Sequence, residues 1–472
     1  MVSTMKKIKL SALSLAITLV PGVALSAHAA ESKAQPVSVT TPFKSSVLTT
    51  DLAYPWDMVW GPDNYIWVTE RQGKRITRID PATGKKQVAA TLDAVHIGPQ
   101  HEGLLGLALS PTFMQKEGDN YVYAAYTYME GEQEHAKIVR LEYSPDTHKL
   151  SNETTVLAGF PAGSDHNGGR LRFGPDGKLY YSIGEQGHNQ GAHWCEEIQA
   201  QRTPTQDELG KKDYSSYAGK VLRLNTDGSI PDDNPTIEGV KSHVFTYGHR
   251  NPQGLVFVGK NLYSTEQGPS SDDELNKLEA GGNYGWPHVA GFRDDQGYAY
   301  ANYSKAANCK ALTYDANYIP DGVPVQKETD WNAPNFKAPL KTFYTVRSGY
   351  NFRDAQCDKL SYLCWPTIAP SSVGYYPADG VIKEWRNSLL ITSLKNGALY
   401  RVPLNADRQG VQGDEAKYFR SVNRYRSVLV SPDTKKIFIA TDPGGNALTL
   451  ENTPAKQLSN QGQILVFEYT GK

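Results

Sequence analysis

One unit recurs along this 472-residue chain and limits what it can fold into: an apolar strand, a turn built on Pro-Asp or a similar pair, then a strand of aromatic and β-branched residues. It stands at Val59-Trp60-Gly61-Pro62-Asp63-Asn64 before Tyr65-Ile66-Trp67-Val68, and at Phe173-Gly174-Pro175-Asp176-Gly177 before Leu179-Tyr180-Tyr181-Ser182. It returns at Val430-Ser431-Pro432-Asp433 before Ile437-Phe438-Ile439-Ala440. Proline pre-sets the turn and aspartate bonds its own backbone, so each copy reads as a hairpin. Looser copies lie at Leu109-Ser110-Pro111 before Tyr121-Val122-Tyr123, at Val256-Phe257-Val258 before Asn261-Leu262-Tyr263, and at Trp385-Arg386-Asn387 before Leu389-Leu390-Ile391. Small sheets of this kind are stabilised by stacking on their neighbours around a ring, so six copies predict an all-β, six-bladed propeller folding as one domain over residues 30–472. An open sandwich of similar hairpins is the alternative, and the copy number favours the ring. The 42 Gly, 28 Pro and 28 Tyr, with few stretches of period 3.6, agree with a mainly β chain.

The N-terminus is organised differently. Lys6, Lys7 and Lys9 precede an apolar run from Leu10 to Leu25, and Ala27-His28-Ala29 follows before Ala30, the pattern of a secretory signal peptide over residues 1–29. That run is short for a membrane span, and no later stretch reaches about 18 uninterrupted apolar residues, so the expected product is exported, periplasmic or secreted, without a membrane anchor. Removing the signal lowers 49 basic residues to 46 against 50 acidic ones, about −4 net, which offers no nucleic-acid surface. Four cysteines in an exported chain suggest disulfides. Cys357 and Cys364 stand close enough to close a small loop, whereas Cys195 and Cys309 are distant and their pairing stays open. Neither a CxxC pair nor a neighbouring His cluster accompanies them, which argues against a metal role.

The repeats are unevenly spaced. About 130 residues separate the units at 256–263 and 385–391, and this interval holds Gly268 to Ser372. Long insertions in a repeat protein are usually functional loops, so the site is expected to be framed there. Asp165-His166-Asn167-Gly168-Gly169-Arg170 is a polar loop just before the third unit. Its His, with carboxylates at Asp165 and Glu185, suits a general base; a turn histidine bonded to backbone is the ordinary alternative. Arg250 within Gly248 to Gly254, Lys395, Arg424 and Arg426 are cations in short loops, matched to an anionic ligand. The runs Glu266 to Glu274 and Phe292-Arg293-Asp294-Asp295 present carboxylates and carbonyls, as calcium requires, but without EF-hand spacing, and on the residues alone solvated turns are the stronger reading.

Taken in order, several runs resemble the soluble pyrroloquinoline quinone (PQQ)-dependent glucose dehydrogenases and related aldose dehydrogenases. They are Gly103-Leu104-Leu105-Gly106, Asp165-His166, Gly219 to Asn225 leading to Asp227-Gly228-Ser229-Ile230-Pro231, and Gly248 to Gly254. The series continues with Glu266-Gln267-Gly268-Pro269, Gly282-Asn283-Tyr284-Gly285-Trp286-Pro287 and Cys364-Trp365-Pro366-Thr367. The likeness spans nearly the whole mature chain, and that family's fold is the six-bladed propeller. The resemblance implies oxidation of glucose or another aldose at C1 to the lactone. His166 is its base, Glu185 the acidic partner of that base, Arg250 the stabiliser of charge on the cofactor, and Asp165 a neighbour of the substrate. It implies that Asn251, Thr367, Lys395, Arg424 and Arg426, with Arg250, hold PQQ, whose three carboxylates account for the cationic loops. Gly268 and Pro269 match the site of a Ca²⁺ bound to the cofactor; Ala290, Phe292, Asp294 and Glu328 resemble a second, structural calcium site. Tyr362 and Trp365 match an aromatic wall of the sugar pocket, held by the Cys357-Cys364 loop.

Three departures bear on sugar preference. His101 stands where the family has Gln or Glu beside the substrate, with Gln100 next to it; Gln190 is kept but the bulky apolar residue after it is not; and Cys195 and Cys309 are additions. With no haem-attachment CxxCH, electrons are expected to pass to a separate cytochrome or quinone-type carrier. The resemblance leaves a homodimer open. The rival readings are a propeller that only binds ligand, and a calcium-dependent lactonase-type hydrolase. Retention of His166, Arg250, Lys395, Arg424 and Arg426 together argues against the first, and a hydrolase has no use for such a cationic cluster.

Overall fold

The computed structural model describes residues 42–116 and 118–471; the signal-peptide reading of residues 1–29 lies outside them. Six four-stranded antiparallel sheets carry the described chain. Their first strands are Pro55–Trp60, Leu104–Leu109, Leu171–Phe173, Pro252–Val258, Pro370–Tyr376 and Tyr425–Val430, here taken to open blades 1 to 6. Each first strand packs on the first strands of the blades before and after it, and that of blade 6 packs on that of blade 1. The circuit is a closed six-bladed β-propeller with the first strands innermost. The N-terminal strand Phe43–Thr49 closes it by pairing with Ile464–Tyr469 as the outer strand of blade 6, Phe43 opposite Tyr469 and Ser45 opposite Phe467. Among the described residues no helix is long and apolar enough to cross a membrane.

The Pro-Asp turns form as the local chemistry requires. Asp63 Oδ1 accepts from the Tyr65 amide (3.3 Å), Asp176 Oδ1 from Lys178 (3.1 Å) and Asp433 Oδ1 from Lys435 (3.1 Å). Two of these aspartates also reach the third strand of their blades: Asp63 Oδ2 accepts from Arg78 Nη2 at 2.7 Å, and Asp176 Oδ2 from Arg223 Nε at 3.0 Å. Aromatic and branched side chains then fill the space between blades, where Trp67 meets Phe113 and Tyr143 edge-on at centroid distances of 5.7 and 5.1 Å.

One of the six units differs from the sequence reading. Trp385-Arg386-Asn387 does follow a turn into the strand Ser388–Ser393, but the inner strand lies further back at Pro370–Tyr376, and a short 3₁₀ turn, Lys383–Trp385, occupies the connection. Much of the long interval lies inside blade 4, whose third strand Asp273–Leu278 pairs with a fourth, Lys341–Phe343, beyond the insertion, and the remainder leads into blade 5. A second insertion separates Leu179–Ile183 from Lys220–Leu224 in blade 3. The disulfide Cys195–Cys309 joins the two insertions, and Cys357–Cys364 closes a seven-residue loop before blade 5. The first pairing, left open by the sequence, brings together residues 114 apart.

Arg170 crosses the middle of the ring. Its guanidinium pairs with Asp57 of blade 1, donates to the carbonyls of Gln253 in blade 4 (2.8 Å) and Ser371 in blade 5 (2.9 Å), and lies over the Trp56 ring. Arg172 adds two bonds to Asp57 at 2.8 and 2.9 Å. Burial draws Arg170 down to about 10, still charged at neutral pH. A buried charge is tolerable only when paired and fully hydrogen-bonded, and here the pairing ties four blades together directly beneath the loop that carries His166.

Candidate active site

In an antiparallel blade, the loop entering the first strand and the loop joining the second to the third emerge at the same end. The wide cavity at that end, about 570 Å³, draws its wall from such loops in several blades. Gln100 and His101 enter blade 2, Asp165 and His166 blade 3, Arg250 blade 4, Trp365 and Thr367 blade 5, and Arg424 blade 6. Gln190, Gly268, Pro269 and Lys395 come from the second-to-third connections of blades 3, 4 and 5. Tyr362 completes this group of residues singled out from the sequence. Residues up to about 320 positions apart thus meet because each occupies an equivalent corner of its own blade.

His166 is held from behind. Its Nδ1 lies 2.5 Å from Glu185 Oε1, and Glu185 is fully buried. The backbone at His166 is left-handed (φ 44°), and its carbonyl is so close to Gly184 that a Cβ there would sit 2.0 Å from the oxygen, so position 184 must be glycine. With Nδ1 engaged by a carboxylate, the neutral ring carries its proton there and presents the Nε2 lone pair to the cavity. Nε2 is 3.5 Å from Asp165 Oδ1 and 3.4 Å from Gln190 Nε2. Gln190 Nε2 also donates to Asp165 Oδ2 (3.3 Å), while Gln190 Oε1 accepts from Arg250 Nη2 (2.6 Å), making Gln190 a bridge between the cation and the acid. His101 Nδ1 approaches Asp165 Oδ1 at 3.2 Å. Burial would raise the Asp165 pKa, but His166, His101 and Arg250 beside it outweigh burial and hold the carboxyl well below the usual range. Removal from bulk water, only partly countered by Asp165, lowers His101 to about 4, so this imidazole is neutral at pH 7.

Cations line the same cavity. Glu266 fixes Arg250 by accepting from its amide at 3.0 Å and from His249 Nδ1 at 2.9 Å. Lys395 Nζ donates to Thr367 Oγ1 at 2.8 Å and to the Trp365 carbonyl. Burial brings Lys395 down to about 8, against the pull of Asp273. Arg424 Nη1 donates to the Asn446 carbonyl at 2.7 Å. The Nε atoms of Arg250 and Arg424 are buried without a hydrogen-bond partner. Such convergent donors are suited to several carboxylates of one ligand, and so fit PQQ.

Glu185, Asn251, Arg426 and the bonded pair Cys357 and Cys364, also selected from the sequence, stand outside this wall. Glu185 backs His166. Asn251 is fully buried, with Oδ1 accepting from Gly168 (3.2 Å) and Nδ2 donating to Gln267 (3.2 Å). Arg426 lies in a small cavity beneath, bonded to Asp442 (3.0 Å from Nε) and Gln253 (2.9 Å). Cys357 anchors the loop bearing Tyr362, whose hydroxyl meets Asn446, and Trp365 Nε1 donates to Asn317 Oδ1 at 3.1 Å.

The candidate calcium residues fall in two places. Gly268 and Pro269 line the main cavity, and a Cβ on Gly268 would meet the carbonyl oxygens of Ser271 and Asp272 at 2.0 and 2.6 Å. This tight, oxygen-rich turn fits a hard cation and is pinned by Asp273, which accepts from the amides of Gly268 (2.9 Å), Ile368 (2.6 Å) and Ala369 (2.8 Å). Ala290, Phe292, Asp294 and Glu328 form a separate group. There the Glu328 carboxylate accepts from the amides of Ala290 (3.0 Å) and Asp295 (2.9 Å), and burial lifts it to about 7. Among the described residues, no three His, Cys, Asp or Glu side chains are grouped to hold a metal by themselves, so backbone carbonyls would have to complete either site.

Sequence reasoning did not single out Tyr314 or Asn446, and it took Asp273 and Glu266 only as members of a longer run. In that run, at 266–274, local spacing carries no sign that the two fix backbone turns. Tyr314 comes from an insertion without repeats.

Fold and site together define a class: a six-bladed propeller enzyme whose cavity is lined by an acid-backed histidine and by several cations. Residues 52–337 and 344–450 match the glucose/sorbosone dehydrogenase family model, and the chain belongs to that family. It is 45% identical over 442 residues to quinoprotein glucose dehydrogenase B of Acinetobacter calcoaceticus, covering 91% of this chain and 92% of that one. It is 30% identical to the aldose sugar dehydrogenase YliI of Escherichia coli, covering 85% and 91%. The PQQ-bound aldose sugar dehydrogenase of Streptomyces coelicolor superposes with a TM-score of 0.59 at 25% identity, covering 91% and 99%.

Proposed function

We propose that the protein is an exported PQQ- and calcium-dependent dehydrogenase that oxidises aldoses at C1. The observation that carries this reading is the His166–Glu185 pair, with His166 lining the same cavity as Arg250, Lys395 and Arg424. The family membership supports PQQ-dependent sugar oxidation; calcium, the lactone product and export are the finer parts of the proposal.

PQQ, when bound, supplies the acceptor for the C1 hydride, and Ca²⁺ at the Gly268–Pro269 turn supplies Lewis-acid polarisation of it. Arg250, Lys395, Thr367 and Arg424 hold the anionic cofactor, with Asn251 and Arg426 supporting that floor from below. His166 Nε2 takes the proton of the anomeric hydroxyl, and Glu185 stabilises the imidazolium that results. A positioned base of this kind contributes about 10²–10⁴ in rate. Asp165, Gln190, Gln100 and His101 orient the sugar's hydroxyls, and Tyr362 and Trp365 offer its ring a stacking surface.

The test is to titrate purified metal-free apo-protein with PQQ and Ca²⁺ and follow dye reduction across a panel of aldoses that includes glucose. Activity that requires both additions is expected. Tight PQQ binding with no oxidation of any aldose would leave a binding propeller in its place.

A further inference from the structure

Lys220 is fully buried and has no part in the chemistry described so far. It opens the third strand of blade 3, opposite Ile183 on the second strand and Tyr247 on the fourth. Its Nζ donates to three backbone carbonyls, those of Gln199 (3.0 Å), Ala200 (2.9 Å) and Ala218 (2.7 Å). Lysine is almost never buried completely unless a carboxylate pairs with it, and among the described residues none does. Burial, with the cation of Arg202 adding to it, draws the amine well below its ordinary range. Three carbonyls take three N–H groups, which only the ammonium has, so these bonds work against that pull. An apolar side chain would fill the same space without the cost of burying a charge.

The bonds meet at a corner shared by two segments of the active site. The Ala200 carbonyl that accepts from Lys220 also accepts from the Gly248 amide (3.0 Å), at the head of the turn that presents Arg250. Next to Lys220, the Gly219 carbonyl accepts from the His249 amide (3.1 Å), and the Gly219 amide donates to the Gly184 carbonyl (3.0 Å). The Glu185 amide then donates to the Arg250 carbonyl (2.9 Å), which closes the circuit. There is no slack in it. At Gly219, where φ is 69°, a Cβ would lie 2.6 Å from the His249 carbonyl oxygen and 2.7 Å from the Ala200 Cβ. The stretch 199–200 is the returning end of the insertion in blade 3 and belongs to no strand, so no ladder holds its carbonyls toward the turn. Lys220 does.

We infer that Lys220 is a positioning residue for the oxidation step: its ammonium draws the 199–200 strap onto the corner where the turn carrying Arg250 meets the segment behind His166, and so fixes where the guanidinium stands in the cavity. The inference rests on the dehydrogenase reading, because it ties Lys220 to the reaction through Arg250. Lys220 itself lies outside the cavity wall and reaches neither sugar nor cofactor.

Lys220→Met keeps the stem of the side chain and removes all three bonds; Lys220→Gln keeps a shorter amide donor and serves, with the same pattern expected, where the first variant does not fold. Both are studied in the full-length protein. In the cofactor-free form, deuterium exchange at the backbone amides of Gly248, His249 and Glu185 should speed up at least about tenfold, while amides of blades 1 and 6 stay within about twofold of wild type. In the PQQ-loaded form, the limiting rate of cofactor reduction by glucose should fall at least about tenfold. The same substitution placed in Arg250→Gln should slow that step less than about twofold, because the group it positions is already gone. Exchange that rises alike in every blade, or a limiting rate within about twofold of wild type, makes Lys220 a packing residue and overturns the inference. So does an equal loss in the two backgrounds, since the effect would then not run through Arg250. Failure of the dehydrogenase reading shows separately: no aldose would reduce the cofactor in the wild type, whereas faster exchange confined to the Gly248–Arg250 turn and Glu185 would still place Lys220 in control of that corner.

Discussion

Glu185 Oε1 and His166 Nδ1 are 2.5 Å apart, and the second carboxylate oxygen of Glu185 is buried without a partner. The carboxylate therefore has one task, which is to set the tautomer of His166 and balance the charge that the ring acquires. Replacing it with the isosteric amide keeps the shape and removes the charge. Glu185→Gln is expected to slow cofactor reduction about 10–100-fold, and His166→Ala at least about 100-fold, both with PQQ affinity nearly unchanged. Because the two act as one unit, the double variant should be no slower than His166→Ala alone. Single-turnover absorbance at saturating glucose measures all three. Equal losses in PQQ affinity and in rate would make His166 structural.

Lys395 provides a pH dependence of definite sign. Burial lowers it from its ordinary 10.5 to about 8, so in the empty site it loses its proton as pH rises through that value. A tricarboxylate favours the charged form, hence binding should draw a proton onto Lys395 above about pH 8 and weaken as pH climbs. For the cofactor-free protein the sign is opposite: between about 8 and 10.5 the unfolded chain holds this proton and the folded one does not, so this group's contribution to stability rises with pH. Calorimetry of PQQ binding at about pH 9, in buffers of different ionisation enthalpy, should register proton uptake that Lys395→Met abolishes. The same variant should bind PQQ at least about tenfold more weakly at pH 7.

How much of this was legible in the sequence depends on the range of the interactions. The turns at Asp63, Asp176 and Asp433 are local, since each aspartate bonds an amide two residues on, and they identified the repeat and hence the ring. The inner strand of blade 5 was misplaced because Pro370-Ser371-Ser372 opens it with no apolar alternation, while Trp385 and Asn387 imitate the turn found elsewhere. The cations and His166 were visible as residue types in short loops, but only family resemblance assigned them roles, because their convergence depends on equivalent corners of different blades. The Cys195–Cys309 bond was not legible, because it joins insertions that carry no periodic pattern and such contacts are set by tertiary packing alone.

The Cys195–Cys309 bond also bears on the site, because it fixes the stretch that presents Gln190. Asn189 bonds Ala301 and Tyr303 across the same junction, and Trp194 packs on Tyr303 and Tyr314 with centroids 5.9 and 6.1 Å away. Gln190, next to Asn189, spans Arg250 and Asp165. Loosening the bond should therefore affect sugar binding before chemistry. In Cys195→Ser/Cys309→Ser, KM for glucose is expected to rise several-fold while the limiting rate of cofactor reduction changes less than about twofold, since His166 lies on a different loop and Glu185 stands two residues after the strand Leu179–Ile183, ahead of the bonded stretch. Stability should respond to loop length as well. The bond closes a separation of 114 residues, against 7 for Cys357–Cys364. In the chain-entropy account, removing the longer one costs about 2.5 kcal/mol more than removing the shorter. Urea unfolding of the two double variants measures that difference, and glucose titration of the single-turnover rate measures the first effect. A Cys195/Cys309 variant that loses stability yet keeps the wild-type KM would mean that the bond braces the insertions without positioning Gln190.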